Sequence, residues 1–487
     1  MSVMSEEQRN YYIATAIPYV NDKPHIGHAV LHLYADVLAR YHRQQGDDVL
    51  YSAGTDEHGG KIEEAAQKAG VPTQKLVDEF SASFSEGLAE LGISYDSFIR
   101  TTDKDHKKRA AIIWKELEHD IYKNKYVGMY CTGCEEFKTP GYVKETGGVC
   151  PLHNRPYEKI EEENYFFRLS AYNDRIRDAI ESGAFEITPK ARKNEILGLL
   201  KEGLEDISIS RSSESVSWGV PVPGDSSQVM YVWFEALMNY ITTLGYPEGD
   251  KFKKFWPANV QVIGKDILRF HAAIWPGMLL SLGLPLPSRL FVHGFISSNG
   301  QKMSKSLGNV VDPLEVARTY GVDAFRYYFL RHGPINDDVD FTWDKFITAY
   351  NGELANELGN AVSRVAAMVM KYQNGIIGAE SFGGHDIGRY IGALDDCRFD
   401  TALEEVWAQI TGVNQYIEEQ KPWEIAKKGE TDHLQGVLSY LCGALLEIAD
   451  MLVPFMPETA QKITDVFSGE KVTPTDGPLF PRIDTEA

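Results

Sequence analysis

Hydrophobic positions along the chain change period several times, and those changes divide it. YYIATAIPYV (11–20) is a β-branched, aromatic run that meets a proline and then Asn-Asp; from about His25 to Tyr41 apolar residues recur at helical spacing. A buried strand, a loop and a helix are predicted. VLYSAGTDEHG (49–59) again empties a short apolar run into a polar, glycine-bearing loop, and NVQVIGKDIL (259–268) and RLFVHGFIS (289–297) repeat the pattern. Strands spaced by helices predict an α/β fold, a doubly wound parallel (Rossmann-like) sheet with ligands at the carboxyl ends of its strands. The sheet is split. Between about Tyr122 and Val222 the composition shifts to Cys, Gly, Glu and short turns, as in an inserted module. From about Phe341 the period is helical, as in VWAQITGVNQYIEEQ (406–420) and LQGVLSYLCGALLEIADMLV (434–453), which predicts an all-α bundle. The expected domains are 1–121, first half of the catalytic sheet; 122–222, the insertion; 223–340, the second half; and 341–487, the bundle.

Composition narrows the picture. At 487 residues the chain exceeds one hydrophobic core, and a hydrophobic fraction of 43% with 24% charged residues is that of an ordinary globular protein. The apolar stretch AAIWPGMLLSLGLPLP (272–287) is cut by Gly and Pro, so it does not read as a membrane span of about 20 residues. The opening MSVMSEEQRN is polar and acidic, unlike a secretory or transit segment, and a cytoplasmic protein is expected. Five cysteines are too few to staple the chain, which favours metal binding for those that cluster. A net charge of −21 argues against sequence-blind nucleic-acid binding. The basic runs KDHKKR (104–109), PKARK (189–193) and KFKK (251–254) read as solvated faces on their own.

Two motifs carry chemistry. His25-Ile26-Gly27-His28 stands at the start of the first helix, where backbone N–H groups and the helix dipole favour phosphate. Its imidazoles are potential donors, and Gly27 leaves a flat surface for an adenine. Taken alone, such a pair commonly caps the helix. Gly300-Gln301-Lys302-Met303-Ser304-Lys305-Ser306 puts two lysines in a small-residue loop after a strand. Gly300 and the serines permit motion, and Lys302 and Lys305 supply charge for a leaving pyrophosphate.

HIGH together with KMSKS resembles the class I aminoacyl-tRNA synthetases. PYVNDKPHIGH, GTDEHG, YVWFEALMNY, VIGKDILRFHAAIWP, SNGQKMSKSLGNV, YGVDAFRYYFLR and EEQKPW are similar to the methionine enzymes in particular, over nearly the whole chain. The resemblance implies ATP-dependent activation of L-methionine, with Mg2+ on the ATP, and transfer to the 3′ end of tRNA(Met). Catalysis is expected from His25, His28, Lys302 and Lys305, and ATP binding from Gly27, Gly264, Asp266 and the same lysines. The methionine pocket would comprise Ile17, Tyr19, Asp56, Trp233, Ala236, Tyr240, Ile267 and His271. Aromatic and aliphatic walls suit a thioether, Asp56 suits the ammonium, and a Tyr or His can donate weakly to sulfur. Glu235 stands where many relatives have Asp. Asn360, Arg364 and Trp423 fall where the family reads the anticodon, although Trp423 alone would read as core.

Within the insertion, Cys131-Thr132-Gly133-Cys134 and Cys150-Pro151-Leu152-His153 have the spacing of one structural zinc held by Cys131, Cys134, Cys150 and His153. Many relatives use four cysteines, so His153 is the open position. Cys397 and Cys442 lie in helical stretches and read as buried and inert. The chain ends soon after the bundle, without the dimerising module of some relatives, and a monomer is expected. The rival readings are a small-molecule adenylyltransferase, which needs neither insert nor helical tail, and a silent tRNA-binding paralogue, which need not keep HIGH and KMSKS. Synthetases for leucine, isoleucine or valine carry a larger editing insertion than fits here.

Overall fold

The computed structural model describes residues 8–21, 24–133, 136–138, 140–152, 154–303, 309–378, 384, 386–474 and 477–484. The runs read as strands form a six-stranded sheet: β1 (Asn10–Thr15), β2 (Asp48–Thr55), β3 (Ser97–Arg100), β4 (Glu186–Thr188), β5 (Val260–Gly264) and β6 (Arg289–His293), in the order β3-β2-β1-β5-β6-β4. The pairs β3–β2, β2–β1, β1–β5 and β6–β4 are parallel. Tyr12, Ile13 and Ala14 of β1 and Leu50, Tyr51 and Ala53 of β2 are all buried. Burying each large apolar side chain contributes about 1.5–3 kcal/mol. Chain order reverses between β1 and β5, so the loops leaving their carboxyl ends diverge and open the crevice in which such sheets bind ligands.

The chain packs as two compact units: Met1–Pro24, Asp48–Gly87 and Tyr95–Val292 form one, and His25–Asp47, Leu88–Ser94 and His293–Ala487 the other. These cut the chain differently from the four spans read from sequence. In the first unit, β4 falls within 122–222 and yet closes the edge of the main sheet beside β6. Three residues with one buried apolar side chain, Ile187, are too short for a period to register. The rest of the insertion carries a four-stranded sheet built on the long antiparallel pairing of Ile121–Cys131 with Glu158–Phe167.

In the second unit, the helix Ile26–Gln44 joins the bundle through a buried charge. Asp36 and Arg326 are both fully buried, 2.7 Å apart. Asp36 also accepts from Arg40 Nε at 2.7 Å and from the Ser94 amide and hydroxyl at 2.7 and 2.6 Å. Arg326 donates to the carbonyls of Phe455 and Pro454. Burial opposes ionisation of Asp36, but the guanidinium groups of Arg326 and Arg40 and the hydrogen bond from Ser94 together outweigh it, and its carboxyl stays below the usual range. The bundle's long helices are Phe399–Gln420 and Thr431–Leu452. The latter is long and apolar enough to cross a membrane by composition; here Leu434, Val437, Leu438, Leu441, Leu445 and Ile448 are buried within the bundle.

Candidate active site

In the first unit, the expected methionine residues gather beyond the carboxyl ends of adjacent strands. Ile17 and Tyr19 follow β1, Asp56 follows β2, and Gly264, Asp266 and Ile267 end or follow β5. Tyr19 and Asp56 form a parallel bridge, the Val20 amide donating to the Asp56 carbonyl at 3.1 Å and the Asp56 amide to the Pro18 carbonyl at 2.9 Å. Asp56 is buried, and Asp266 is exposed. Trp233 and Ala236 lie on the helix Val232–Leu237 and Tyr240 on the next turn, Asn239–Thr242. The half-buried Trp233 stacks on Phe270, ring centroids 4.6 Å apart.

Tyr240 and His271 are used differently from the sequence expectation. His271 Nδ1 lies 3.0 Å from the Ile267 carbonyl, which can only accept, so that nitrogen carries the proton. Burial lowers the imidazole to about 4, so it is neutral at pH 7, and its Nε2 accepts from the Tyr240 hydroxyl at 2.7 Å. Neither proton is left for a thioether sulfur in this arrangement.

The loop carrying Asp56 holds residues that the sequence reading passed over. Glu57 is buried and accepts from Arg100 Nε and Nη2 at 2.7 and 2.9 Å, from Thr55 Oγ1 at 2.7 Å and from Thr102 Oγ1. His58 Nδ1 lies 3.0 Å from Glu235 Oε2, and His106 Nε2 donates to the other oxygen of that carboxylate. Burial opposes the Glu235 charge, but the imidazoles of His58 and His106 prevail and hold its carboxyl at about 2. Arg211 is buried with its guanidinium 4.4 Å from the Tyr231 ring and 5.5 Å from that of Tyr130. The available signal was Asp56-Glu57-His58, three consecutive ionisable residues at a strand's end, because buried ionisable groups need partners.

In the second unit, His25 and His28 do cap their helix, and that role arms them. His25 Nδ1 accepts from the Gly27 amide at 3.1 Å, and His28 Nδ1 accepts from the His25 amide at 3.3 Å. The rings stack with centroids 3.7 Å apart. A neutral imidazole accepting at Nδ1 carries its proton at Nε2, so each ring presents an N–H donor. Burial, then the neighbouring His25, His32 and His293, keeps His28 well below the usual histidine range. A Cβ on Gly27 would meet Cε1 of His25 at 3.0 Å, so only glycine leaves that ring in place.

Asn299 and Gly300, at φ 53° and 71°, form the two-residue turn between the strands Ile296–Ser298 and Gln301–Lys302. The Gly300 amide donates to Asp340 Oδ1 at 2.7 Å, which holds this turn at the start of the lysine loop. Lys302 lies on the returning strand, and Lys305 lies outside the described residues. Cys131 and Cys150 are buried in one cluster with Tyr157, while Cys134 and His153 lie outside the described residues. Among the described residues, no group of three or more potential metal ligands occurs. In the bundle, Asn360 is exposed at the start of the helix Asn360–Gln373, and Arg364, one turn on, pairs with Glu418 at 2.6 Å. Glu418 is near the end of the helix that leads through Lys421 to the half-buried Trp423.

A doubly wound sheet with aromatic residues beyond its strand ends and, separately, a helix capped by two imidazoles are features of a class I synthetase type of nucleotide-using enzyme. The family model for "tRNA synthetases class I (M)" matches residues 11–157 and 149–366. The chain is 43% identical over 472 residues to a methionine–tRNA ligase of Caldanaerobacter subterraneus subsp. tengcongensis, covering 94% of this chain and 73% of the relative. It is 42% identical to that of Streptomyces coelicolor, covering 94% and 90%. A solved Mycobacterium tuberculosis methionyl-tRNA synthetase in complex with methionyl-adenylate superposes with a TM-score of 0.92 at 37% identity, over 98% of this chain and 100% of that one. The chain belongs to the methionyl-tRNA synthetase family.

Proposed function

We infer that the chain activates methionine with ATP, forming methionyl-adenylate, and transfers the methionyl group to tRNA. The observation that carries this is the near full-length match to a synthetase solved with methionyl-adenylate. The methionine carboxylate is itself the nucleophile. It attacks the α-phosphorus of ATP, pyrophosphate leaves, and no general base is required, so positioning and charge stabilisation do the work. The Nε2–H groups of His25 and His28 donate to phosphate oxygens, Lys302 and Lys305 neutralise the departing pyrophosphate, and Mg2+ accompanies the ATP. Gly27 accommodates the adenine, while Gly264 and Asp266 hold the ribose. Ile17, Tyr19, Trp233, Ala236, Tyr240, Ile267 and His271 enclose the side chain, and Asp56 binds the ammonium. The terminal 2′-hydroxyl of tRNA then attacks the adenylate carbonyl and AMP leaves.

What supports zinc in the insertion is that Cys131 and Cys150 are buried in one cluster, and thiolates sharing one ion must lie together. With Cys134 and His153 they would close a four-coordinate structural site. Bound there, the ion supplies a cross-link that holds the insertion's turns together. Asn360, Arg364 and Trp423 read the anticodon, Trp423 by stacking on an unpaired base. Domain bounds of 1–121, 122–222, 223–340 and 341–487, a monomer, a cytoplasmic location and no membrane association complete the reading. Charging of tRNA with labelled methionine tests it: altering the CAU anticodon should reduce charging strongly while methionine activation without tRNA is unchanged. Equal charging of the altered tRNA would remove the anticodon assignment, and no charging of any tRNA would leave only a small-molecule adenylyltransferase.

A further inference from the structure

We propose that Glu235 is a positioning residue for methionine, its carboxylate clamping the Asp56 loop through His58 to the helical segment that carries Trp233, Ala236 and Tyr240. It is almost fully buried, one oxygen 3.0 Å from His58 Nδ1 and the other hydrogen-bonded by His106 Nε2. His58 lies two residues after Asp56. His106 Nδ1 lies 2.8 Å from Thr242 Oγ1, two residues beyond Tyr240. The segment bearing the three pocket residues is therefore tied at Glu235 and again at Thr242, and the first tie reaches directly to the loop that holds Asp56.

The loop is also fastened elsewhere. Glu57 is gripped by Arg100 and by the hydroxyls of Thr55 and Thr102, and its carbonyl accepts from Trp218 Nε1 at 2.6 Å. The Asp56 backbone pairs with Pro18 and Val20. Those contacts join the loop to β3, to the insertion and to the segment after β1. The hydrogen bond from His58 to Glu235 runs from this loop to the segment 232–242. A shift of a few tenths of an ångström between the two would misalign the ammonium partner with the aromatic wall, which selectively weakens methionine binding. The groups assigned to ATP lie on other segments and would not move with it.

The proposal rests on the reading of Asp56 as the ammonium partner, and the test keeps the two apart. Methionine-dependent ATP–pyrophosphate exchange is measured for Asp56→Asn, Glu235→Gln, Glu235→Asp, His58→Ala and His58→Asn. Glutamine can accept from only one of the two imidazoles, so Glu235→Gln should raise the methionine KM about 10-fold or more with the ATP KM changed less than about twofold. Glu235→Asp keeps both acceptor oxygens and should recover part of the loss. His58→Ala should match Glu235→Gln, and His58→Asn, whose amide can donate from near the Nδ1 position, should restore most of the methionine KM. That rescue does not depend on Glu235→Gln folding. Parallel rises in both KM values, or His58→Asn no better than His58→Ala, would overturn the clamp. If Asp56→Asn leaves the methionine KM unchanged, the pocket reading fails instead.

Discussion

On the proposed assignment, the methionine end and the phosphate end of this enzyme use their polar groups differently. Around the residues assigned to methionine several polar groups pair with one another: Tyr240 donates to His271, His271 to the Ile267 carbonyl, and His58 and His106 to Glu235. At the end assigned to phosphate, the imidazoles of His25 and His28 accept at Nδ1 from amides at the start of their own helix, which places their protons at Nε2. On that assignment one end works by shape and the other by charge. Selectivity for an unbranched thioether needs a rigid apolar wall, whereas stabilising a transferring phosphoryl group needs donors that cost no reorganisation.

The sharpest way to break that contrast is at the lysine loop. Lys305→Ala should slow adenylate formation by on the order of 10²-fold or more while methionine affinity barely changes. Comparable losses in both, read from single-turnover rates and methionine binding, would erase the distinction. A pocket working by fit makes a softer prediction. One missing methylene is worth about 1–3 kcal/mol, so homocysteine should be activated roughly 10–200-fold less efficiently than methionine, and complete rejection would mean a polar sensor of the sulfur. Gly27→Ala pushes a methyl group against the His25 ring and should raise the ATP KM about 10-fold with the methionine KM unmoved. An unaltered ATP KM would show that the ring has room to shift.

A separate effect is on stability against pH. Burial lowers His32 to about 3 and His271 and His293 to about 4, below the usual 6.5. Above pH 6.5 these groups are neutral folded or unfolded. As pH falls from about 6.5 towards 4, the unfolded chain takes up protons that the folded chain refuses, and each group costs up to about 1.4 kcal/mol per pH unit. Thermal unfolding should therefore drop through that window, and a flat Tm between pH 6.5 and 4 would contradict neutral buried imidazoles.

The strands and the bundle were legible because long runs with one period announce themselves: β1, β2, the helix Ile26–Gln44 and the helices after Phe341 all lie where the hydrophobic pattern put them. What escaped was short or polar. β4 has three residues, and the Asp36–Arg326 pair that joins the first helix to the bundle leaves no mark in apolar spacing. The motifs carried the residues assigned to the phosphate end and the pocket wall. They did not expose Glu57, His58, His106 or Glu235, whose roles depend on partners far away in sequence, nor the turn that uses Gly300.

The central claim is that one pocket selects methionine and a separate set of donors drives its activation. It is tested most directly by ATP–pyrophosphate exchange across the twenty amino acids with the purified full chain. The account predicts strong exchange with methionine and at most traces with leucine, isoleucine and valine. Exchange as fast with a branched aliphatic amino acid as with methionine would contradict it.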